Sequence, residues 1–156
     1  MLVRVGPDDW QDFRDVRLAS LADAPHAFGA KLADWVEAGE DRWRARLADV
    51  PFTVVARSEG QGVGVVSGVS TGEHVELISM WVAPAHRGTG LAGRLVAEVV
   101  AWAAAQEQDT YLMVRDDNVR AIRAYERAGF SDLGIPEGPR TGAPPERRMH
   151  HPRHRA

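Results

Sequence analysis

Three glycines follow an arginine in the middle of the chain and could hold a phosphate group. Gly88, Gly90 and Gly93 form a G-x-G-x-x-G pattern directly after Arg87. This is the spacing with which dinucleotide-binding sheets hold a pyrophosphate. Glycines at the start of a helix leave backbone N–H groups open, and the helix dipole adds partial positive charge there. The segment therefore predicts a loop for a phosphate-bearing cofactor, although such glycines can also serve only to make a tight turn.

A nicotinamide or flavin enzyme is one class that this loop suggests. Asp116 and Asp117 follow at about the separation expected for an acidic ribose partner. However, the pattern requires the first glycine directly after a strand, whereas residues 83–87 intervene here and include Pro84. A long segment with a predicted hairpin also precedes the loop, and hairpins are typical of antiparallel sheets. A dinucleotide enzyme is therefore the minor alternative.

The spacing of apolar residues predicts the elements that position the loop. Strands are expected at residues 2–5, 52–56, 63–69, 75–82, 110–114, 130–133 and 146–149. Helices are expected from Asp8 or Asp9 to residue 23, and at 40–48, 90–106 and 119–128. The Gly- and Pro-rich residues 134–145 predict a loop. A flexible tail is expected at 151–156, after a single domain at 1–150.

The composition excludes several classes of protein. With 156 residues and a net charge of −3, the chain fits one soluble domain without the basic footprint of a nucleic-acid binder. It has no cysteine, which excludes disulfides, thiolate metal sites and a cysteine nucleophile. The sequence contains no apolar run long enough to predict a membrane span, so a cytoplasmic location is expected. His150, His151 and His154 are interpreted as part of a polar tail, and no metal site is expected.

Two linked motifs in the second half of the chain are more specific than the glycines alone. RGTGLA at residues 87–92 fits the pattern Q/R-x-x-G-x-G/A. NVRAIRAYERAGF at residues 118–130 fits N-x-x-A-x-x-x-Y-x-x-x-G-F. On these motifs the chain resembles the GNAT superfamily of acyl-CoA-dependent N-acetyltransferases. The resemblance is firm over about residues 50–133, and the order of the N-terminal elements agrees with it.

The resemblance implies an α/β (α+β) fold with a mixed, mostly antiparallel sheet of about six to seven strands flanked by helices. The expected order is β-α-α-β-β-β-α-β-α-β-β. Strands 75–82 and 110–114 are then parallel and splay apart, and the pantetheine arm of acetyl-CoA lies in the gap. Residues at the end of the first strand, in the loop and on the helix after 118 are expected to contact the cofactor: Met80, Trp81, Val82, Arg87, Gly88, Thr89, Gly90, Leu91, Ala92, Gly93, Asn118 and Tyr125.

The resemblance also implies a direct attack of an amine on the thioester. The backbone N–H of Val82 is the expected donor to the oxyanion, and Tyr125 is the expected acid that protonates the leaving thiolate. Each assignment has a structural alternative. Asn118 could be only a helix cap, and Tyr125 only a core aromatic residue. Arg87 could be a solvated charge, and the Trp81 side chain is assigned to packing.

The general base is the least determined part of the expected site. Some relatives carry a glutamate at the position of Met113, and methionine cannot accept a proton. Glu76, in register with Met80 and Val82 on the same strand, is the preferred candidate, acting through a water molecule. Glu73, His74 or the absence of any dedicated base are the alternatives.

The expected function is transfer of an acetyl group from acetyl-CoA to a primary amine of a small molecule or peptide, without a metal. The alternative is a non-catalytic acyl-CoA-binding or regulatory module of the same fold. The region 8–48 and the loop 134–145 are expected to shape the acceptor pocket. Their aromatic residues are Trp10, Phe28, Trp35 and Trp43. A homodimer is possible by analogy with the family.

Overall fold

Seven strands form one open sheet that is antiparallel except at one junction. The computed structural model describes residues 1–25, 31–138 and 144–153. The strands are β1 (Leu2–Arg4), β2 (Phe52–Ser58), β3 (Gln61–Ser70), β4 (Val75–Val82), β5 (Thr110–Arg115), β6 (Ser131–Asp132) and β7 (Glu146–His151). Their order across the sheet is β1-β2-β3-β4-β5-β7-β6. The neighbours β4 and β5 are parallel, and the other neighbouring strands in this order are antiparallel.

Helices cover both faces of this sheet. They are α1 (Trp10–Asp23), α2 (Leu32–Trp35), α3 (Glu40–Asp49), α4 (Leu91–Ala105) and α5 (Val119–Arg127). On one face Phe13 of α1 and Trp43 of α3 pack in the same core as Val65 of β3. On the other face Leu95 of α4 packs in the same core as Val66. Adjacent β3 residues point to opposite faces, so one strand supplies both cores.

The parallel junction opens into a gap soon after it begins. Val75 lies opposite Thr110 and Glu76 opposite Tyr111, and the pairing of β4 with β5 ends there. On its other side β4 stays paired with β3 but contains a bulge, at which Ser79 and Met80 face one residue of β3. Ser79 has a φ of 58°, in the left-handed region that few residues other than glycine adopt. A bulge bends and twists a strand locally, and this one lies where β4 separates from β5.

The predicted fold class and the order of the elements are confirmed, with differences at the ends of several elements. β2, β3 and β5 are each longer than predicted. The structure adds the short helix α2, which the sequence did not indicate. β1 ends at Arg4 instead of residue 5. β7 continues to His151, because His150 and His151 pair with β5 and His150 Nε2 also lies 2.9 Å from Asp109 Oδ2. The interpretation of His150 and His151 as polar tail is therefore wrong, whereas His154 lies outside the described residues.

Candidate active site

The gap between β4 and β5 contains a cavity of about 510 Å³. Its walls are the second half of β4, the end of β5, the last turn of α1 and one side of α5. Met80, Trp81, Val82, Asn118 and Tyr125 all line it. The structure therefore brings together the residues that the sequence assigned to the strand end and to α5.

A second, larger groove of about 870 Å³ surrounds the glycine loop. Gly88, Gly90 and Gly93 line it, with φ values of 79° at Gly88 and 84° at Gly90. A Cβ added at any of these three glycines would meet none of the described atoms within 4 Å. The first backbone bond within α4 runs from Arg94 N–H to Gly90, so the N–H groups of the three preceding residues are open for a ligand. The loop thus has the geometry of an anion cradle at a helix N-terminus.

Two arginines on α5 add positive charge to this groove. Arg120 and Arg127 both line it and are exposed. They are separated by seven residues, which places them on one side of the helix. Neither residue was expected from the sequence, although their i, i+7 spacing on the helix after Asn118 indicates one side of that helix.

The side chain of Arg87 is directed toward the protein. Its Nε donates to the carbonyl oxygen of Val82 at 3.1 Å, and its Nη2 donates to Asp23 Oδ2 at 2.7 Å. The same Asp23 oxygen accepts from Trp81 Nε1 at 2.9 Å. Asp23 also lines the cavity, and the sequence analysis did not identify it. Arg87 therefore connects the glycine loop to the end of β4 and the end of α1, while its contact with a phosphate stays a prediction.

The backbone N–H of Val82 points into the gap. Ala83 donates its N–H to Val63 of β3 at 2.8 Å, and Val82 lies opposite Gly64. Successive backbone groups of a strand point to alternate sides. The N–H of Val82 therefore points away from β3, as an oxyanion donor at this position requires.

Tyr125 and Asn118 reach the gap from α5. Tyr125 is buried, and its ring packs against Phe130 with centroids 5.8 Å apart. Burial raises the pKa of Tyr125 above its ordinary value, so its hydroxyl stays protonated and can donate. Asn118 caps α5, because its Oδ1 accepts from Ala121 N–H at 3.3 Å. The cap is present, and the additional contact of Asn118 with a cofactor stays a prediction.

Glu76 is held in a network of charged side chains at the parallel junction. Arg148 of β7 donates to both carboxylate oxygens, at 2.9 Å and 2.5 Å, and His74 Nε2 lies 2.8 Å from Oε1. Partial burial works to raise the pKa of Glu76, but the hydrogen bonds of Arg148 and His74 outweigh it and lower the pKa below its usual range. A carboxylate with a lowered pKa is a weaker base. The role of Glu76 as the general base stays a prediction.

The aromatic residues expected in the acceptor pocket have other positions. Trp43 is buried in the core, and Trp35 packs on it with ring centroids 4.9 Å apart. Trp10 packs against the same core. These three residues stabilise the helices over the sheet and do not line the cavity, to which the region 8–48 contributes Asp23 and Ala24. Phe28 lies outside the described residues. Met113 does line the cavity, together with Glu146.

Two further properties concern the residues that the structure describes. None of their helices is long and apolar enough to cross a membrane. Within the same residues there is no group of three or more histidine, aspartate or glutamate side chains that could hold a metal ion.

Comparison with known proteins supports one family. The model of the acetyltransferase (GNAT) family matches residues 10–130. The N-alpha-acetyltransferase RimI of Mycobacterium tuberculosis is 29% identical over 134 residues, which are 80% of this chain and 84% of that protein. The spore coat polysaccharide biosynthesis protein SpsD of Bacillus subtilis is 34% identical over 79 residues, which are 50% of this chain and 27% of that protein.

A solved structure with a bound acyl donor has a similar fold. The phosphinothricin acetyltransferase of Sinorhizobium meliloti, crystallised in complex with acetyl-CoA, superposes with a TM-score of 0.75 at 17% identity. The match covers 97% of this chain and 87% of that chain. At this identity the likeness concerns the fold.

Proposed function

Because the chain belongs to the acetyltransferase (GNAT) family, we propose that it transfers an acetyl group from acetyl-CoA to a primary amine of a small molecule or peptide. The observation that carries the proposal is the position of Tyr125, whose buried ring faces the cavity in which Val82 directs its N–H. The acetyl-CoA complex of the structural relative and the amino-terminal substrate implied by the name of RimI support the donor and the amine.

The residues present fit acetyl-CoA. The open N–H groups of the glycine loop and the positive charges of Arg120 and Arg127 are suited to its phosphates. The free backbone of β4 beside the gap is suited to pair with its pantetheine arm, as an added strand does. Acetyl-CoA supplies an activated acyl carbon and a thiolate leaving group.

Two groups of the protein perform the proposed chemistry. Val82 donates its N–H to the carbonyl oxygen while the amine nitrogen forms its bond to the acyl carbon, and so stabilises the developing negative charge. Tyr125 gives its phenolic proton to the sulfur as the carbon–sulfur bond breaks. The amine must reach the site without its proton, because a free lysine-type amine has a pKa near about 10.4. Glu76 through a water molecule is the proposed acceptor of that proton, and the alternative is an amine that binds already neutral.

A thiol-release assay with acetyl-CoA and a panel of amines tests this function. We expect release of thiol that depends on both acetyl-CoA and an amine. A thermal-shift comparison of acetyl-CoA with NAD(H) and NADP(H) tests the cofactor, because stabilisation follows affinity and ligand concentration.

Binding of acetyl-CoA without thiol release from any amine would instead favour the non-catalytic acyl-CoA-binding module. The specific observation in favour of that alternative is the ion pair that occupies Glu76, together with methionine at position 113. The expected cytoplasmic location and the homodimer stay predictions.

A further inference from the structure

A polar cluster lies between α3 and the sheet, on the face opposite to α4. Arg46 of α3 donates through Nη2 to Ser79 Oγ at 3.1 Å and to Ser67 Oγ at 3.4 Å. Ser67 Oγ lies 2.8 Å from Thr53 Oγ1, and both of these side chains are fully buried. We call Arg46, Thr53, Ser67 and Ser79 the Arg46 cluster. The hydrogen-bond partners of Arg46 are hydroxyl groups, and its guanidinium also lies 5.1 Å from the centroid of the Phe13 ring. No carboxylate among the described residues bonds to it, which is unusual for a charged guanidinium.

The positive charge of the Arg46 cluster is not neutralised by an ion pair. Among the residues described, Arg46 has no carboxylate within 4 Å, and its buried Nη1 has no hydrogen-bond partner. Burial lowers the pKa of Arg46 to about 10, against a smaller opposing effect of Asp49. Buried charges are usually paired, so the cluster is an electropositive position suited to an anion.

Ser79 connects this charge to the candidate active site. It lines the cavity and accepts the hydrogen bond of Arg46, so that the guanidinium lies directly behind the cavity wall. Ser79 is also the residue with a φ of 58° at the bulge of β4. Residues in this conformation are enriched at active and ligand-binding sites, although Glu59 and Glu107 of this chain also adopt it. Ser79 precedes Val82 by three residues, so the Arg46 cluster and the proposed oxyanion donor lie along one strand.

The opposite charge is present in the same cavity. Asp23 and Glu146 line it together with Arg87, Arg115 and Arg120. Asp23 is held by Arg87 and Trp81, so Glu146 is the carboxylate that an ammonium group can meet. A molecule with an ammonium group and a carboxylate matches both signs, whereas a simple amine matches only one.

Resting on the proposed acetyltransferase function, we propose that Arg46 is a specificity-determining residue of the acceptor site. Its charge behind the cavity wall favours a carboxylate of the acceptor that accepts a hydrogen bond from the Ser79 hydroxyl. The acceptor is accordingly a small amino acid, and its amine points toward Val82. The Ser79 hydroxyl can accept from Arg46 and donate to that carboxylate at the same time.

Product binding tests this proposal separately from catalysis. The probes are a panel of N-acetylated amino acids and their matched, uncharged carboxamides, titrated calorimetrically into the protein with and without coenzyme A. We expect at least one acid to bind about tenfold or more tightly than its amide, as the loss of a hydrogen bond to a charged group implies. In Arg46→Gln this preference should disappear. Equal binding of every acid and its amide by the wild-type protein, as for a peptide-like acceptor, overturns the proposal.

Three variants keep the outcome interpretable. Arg44→Gln removes another arginine of α3, one that pairs with Asp8 and Glu40 at the surface, and should retain the preference. Arg46→Lys keeps the charge without the planar fork, and should retain part of the preference even if Arg46→Gln folds poorly. An unchanged preference in a folded Arg46→Gln variant also overturns the proposal. Failure of acetyl-CoA to bind or of any amine to release thiol would count against the proposed function instead, since the titrations do not require turnover.

Discussion

The carboxylate of Asp23 lies 2.7 Å from the guanidinium of Arg87, across the end of β4. Asp23 is the last residue of α1, on the acceptor side of the cavity, and Arg87 is the first residue of the RGTGLA motif. The hydrogen bond from Trp81 has the largest effect on the pKa of Asp23. Together with the hydrogen bond from Arg87 it outweighs burial and holds this pKa below its usual range. The contact therefore connects the wall of the cavity to the glycine loop.

We predict that Asp23→Ala and Arg87→Ala are coupled in their effect on acetyl-CoA binding. If Arg87 acts by holding the loop against Asp23, either substitution removes the same ion pair. The double variant should then bind acetyl-CoA no more weakly than the single variants. The side chains are about a third exposed, so the coupling free energy should be about 1 kcal/mol or less. Calorimetric titration of acetyl-CoA into the four proteins measures it.

The control for this cycle is Arg127→Ala. Arg127 lines the groove around the glycine loop and has no ion pair among the described residues. The loss of affinity in Arg127→Ala should therefore add to that in Asp23→Ala. A larger loss in Arg87→Ala than in Asp23→Ala, with additive effects, would show that Arg87 contacts the phosphate by itself.

We predict that Tyr125→Phe lowers kcat about a hundredfold or more, the range of a general acid. The acetyl-CoA-dependent thermal shift should be retained, because the ring still fills its place beside Phe130. Burial raises the pKa of Tyr125 above its ordinary value of about 10, so the phenol stays protonated below that pH and no loss of activity there should come from its ionisation. Steady-state rates from pH 6 to 9 check this.

Tyr111→Phe is the matched control, because Tyr111 lies at the parallel junction under Arg148, outside the cavity lining. It should leave kcat within about twofold of the wild type. Equal rates of Tyr125→Phe and wild type would remove Tyr125 as the acid.

The sequence predicted the parts of the site that depend on local pattern. The spacing of residues indicates the structure of three elements: the strand 75–82, the glycine loop and the helix from residue 119. The two motifs predicted that these elements form one site. Contacts between distant segments could not be read in this way. Arg46 meets Ser79 across 33 residues, and Glu76 meets Arg148 across 72. Neither pairing leaves a periodic signal, because it depends on which strands and helices become neighbours.

The same reason explains the misplaced aromatic residues. Trp43 at helical spacing indicates only that one side of α3 is apolar, and the sequence does not say whether that side faces a core or a pocket. The structure shows it in edge contact with Phe13, with ring centroids 5.9 Å apart. Likewise, β7 extends to His151 because β5 offers a paired partner at Thr110, which the polar residues at 150–153 did not suggest.

We predict that Glu76→Gln lowers the Tm of the protein. Its partner Arg148 would lose a two-point ion pair in a partly buried place. Because the folded-state pKa of Glu76 is lowered, its contribution to stability is present above the unfolded pKa of about 4.3 and is lost as the pH falls through the folded value. The difference in Tm between variant and wild type should therefore be full at pH 7 and vanish in strong acid.

The rate of the same variant decides the role of Glu76 in catalysis. A general base would lose about a hundredfold in kcat and the acid limb of its pH profile. The lowered pKa makes Glu76 a weaker base, so we expect a loss of no more than about this size, and an unchanged kcat would remove Glu76 as the base. Glu98→Gln is the control, since Glu98 is exposed on α4 and has no ion pair within the described part of the chain.

We predict opposite effects for alanine at two glycines of the loop. Gly90 has a φ of 84°, and alanine in the left-handed region costs about 1–2 kcal/mol, so Gly90→Ala should lower Tm by about 2–8 °C and weaken acetyl-CoA binding. Gly93 lies inside α4 without a positive φ, so Gly93→Ala should stabilise the helix by about 0.5–1 kcal/mol. Its acetyl-CoA affinity should stay within about twofold, because the backbone N–H remains and an added Cβ meets none of the described atoms within 4 Å. Thermal melts and calorimetric titrations measure both. A large loss of affinity in a stabilised Gly93→Ala would instead mean that the third glycine is needed for close approach, as in the dinucleotide pattern.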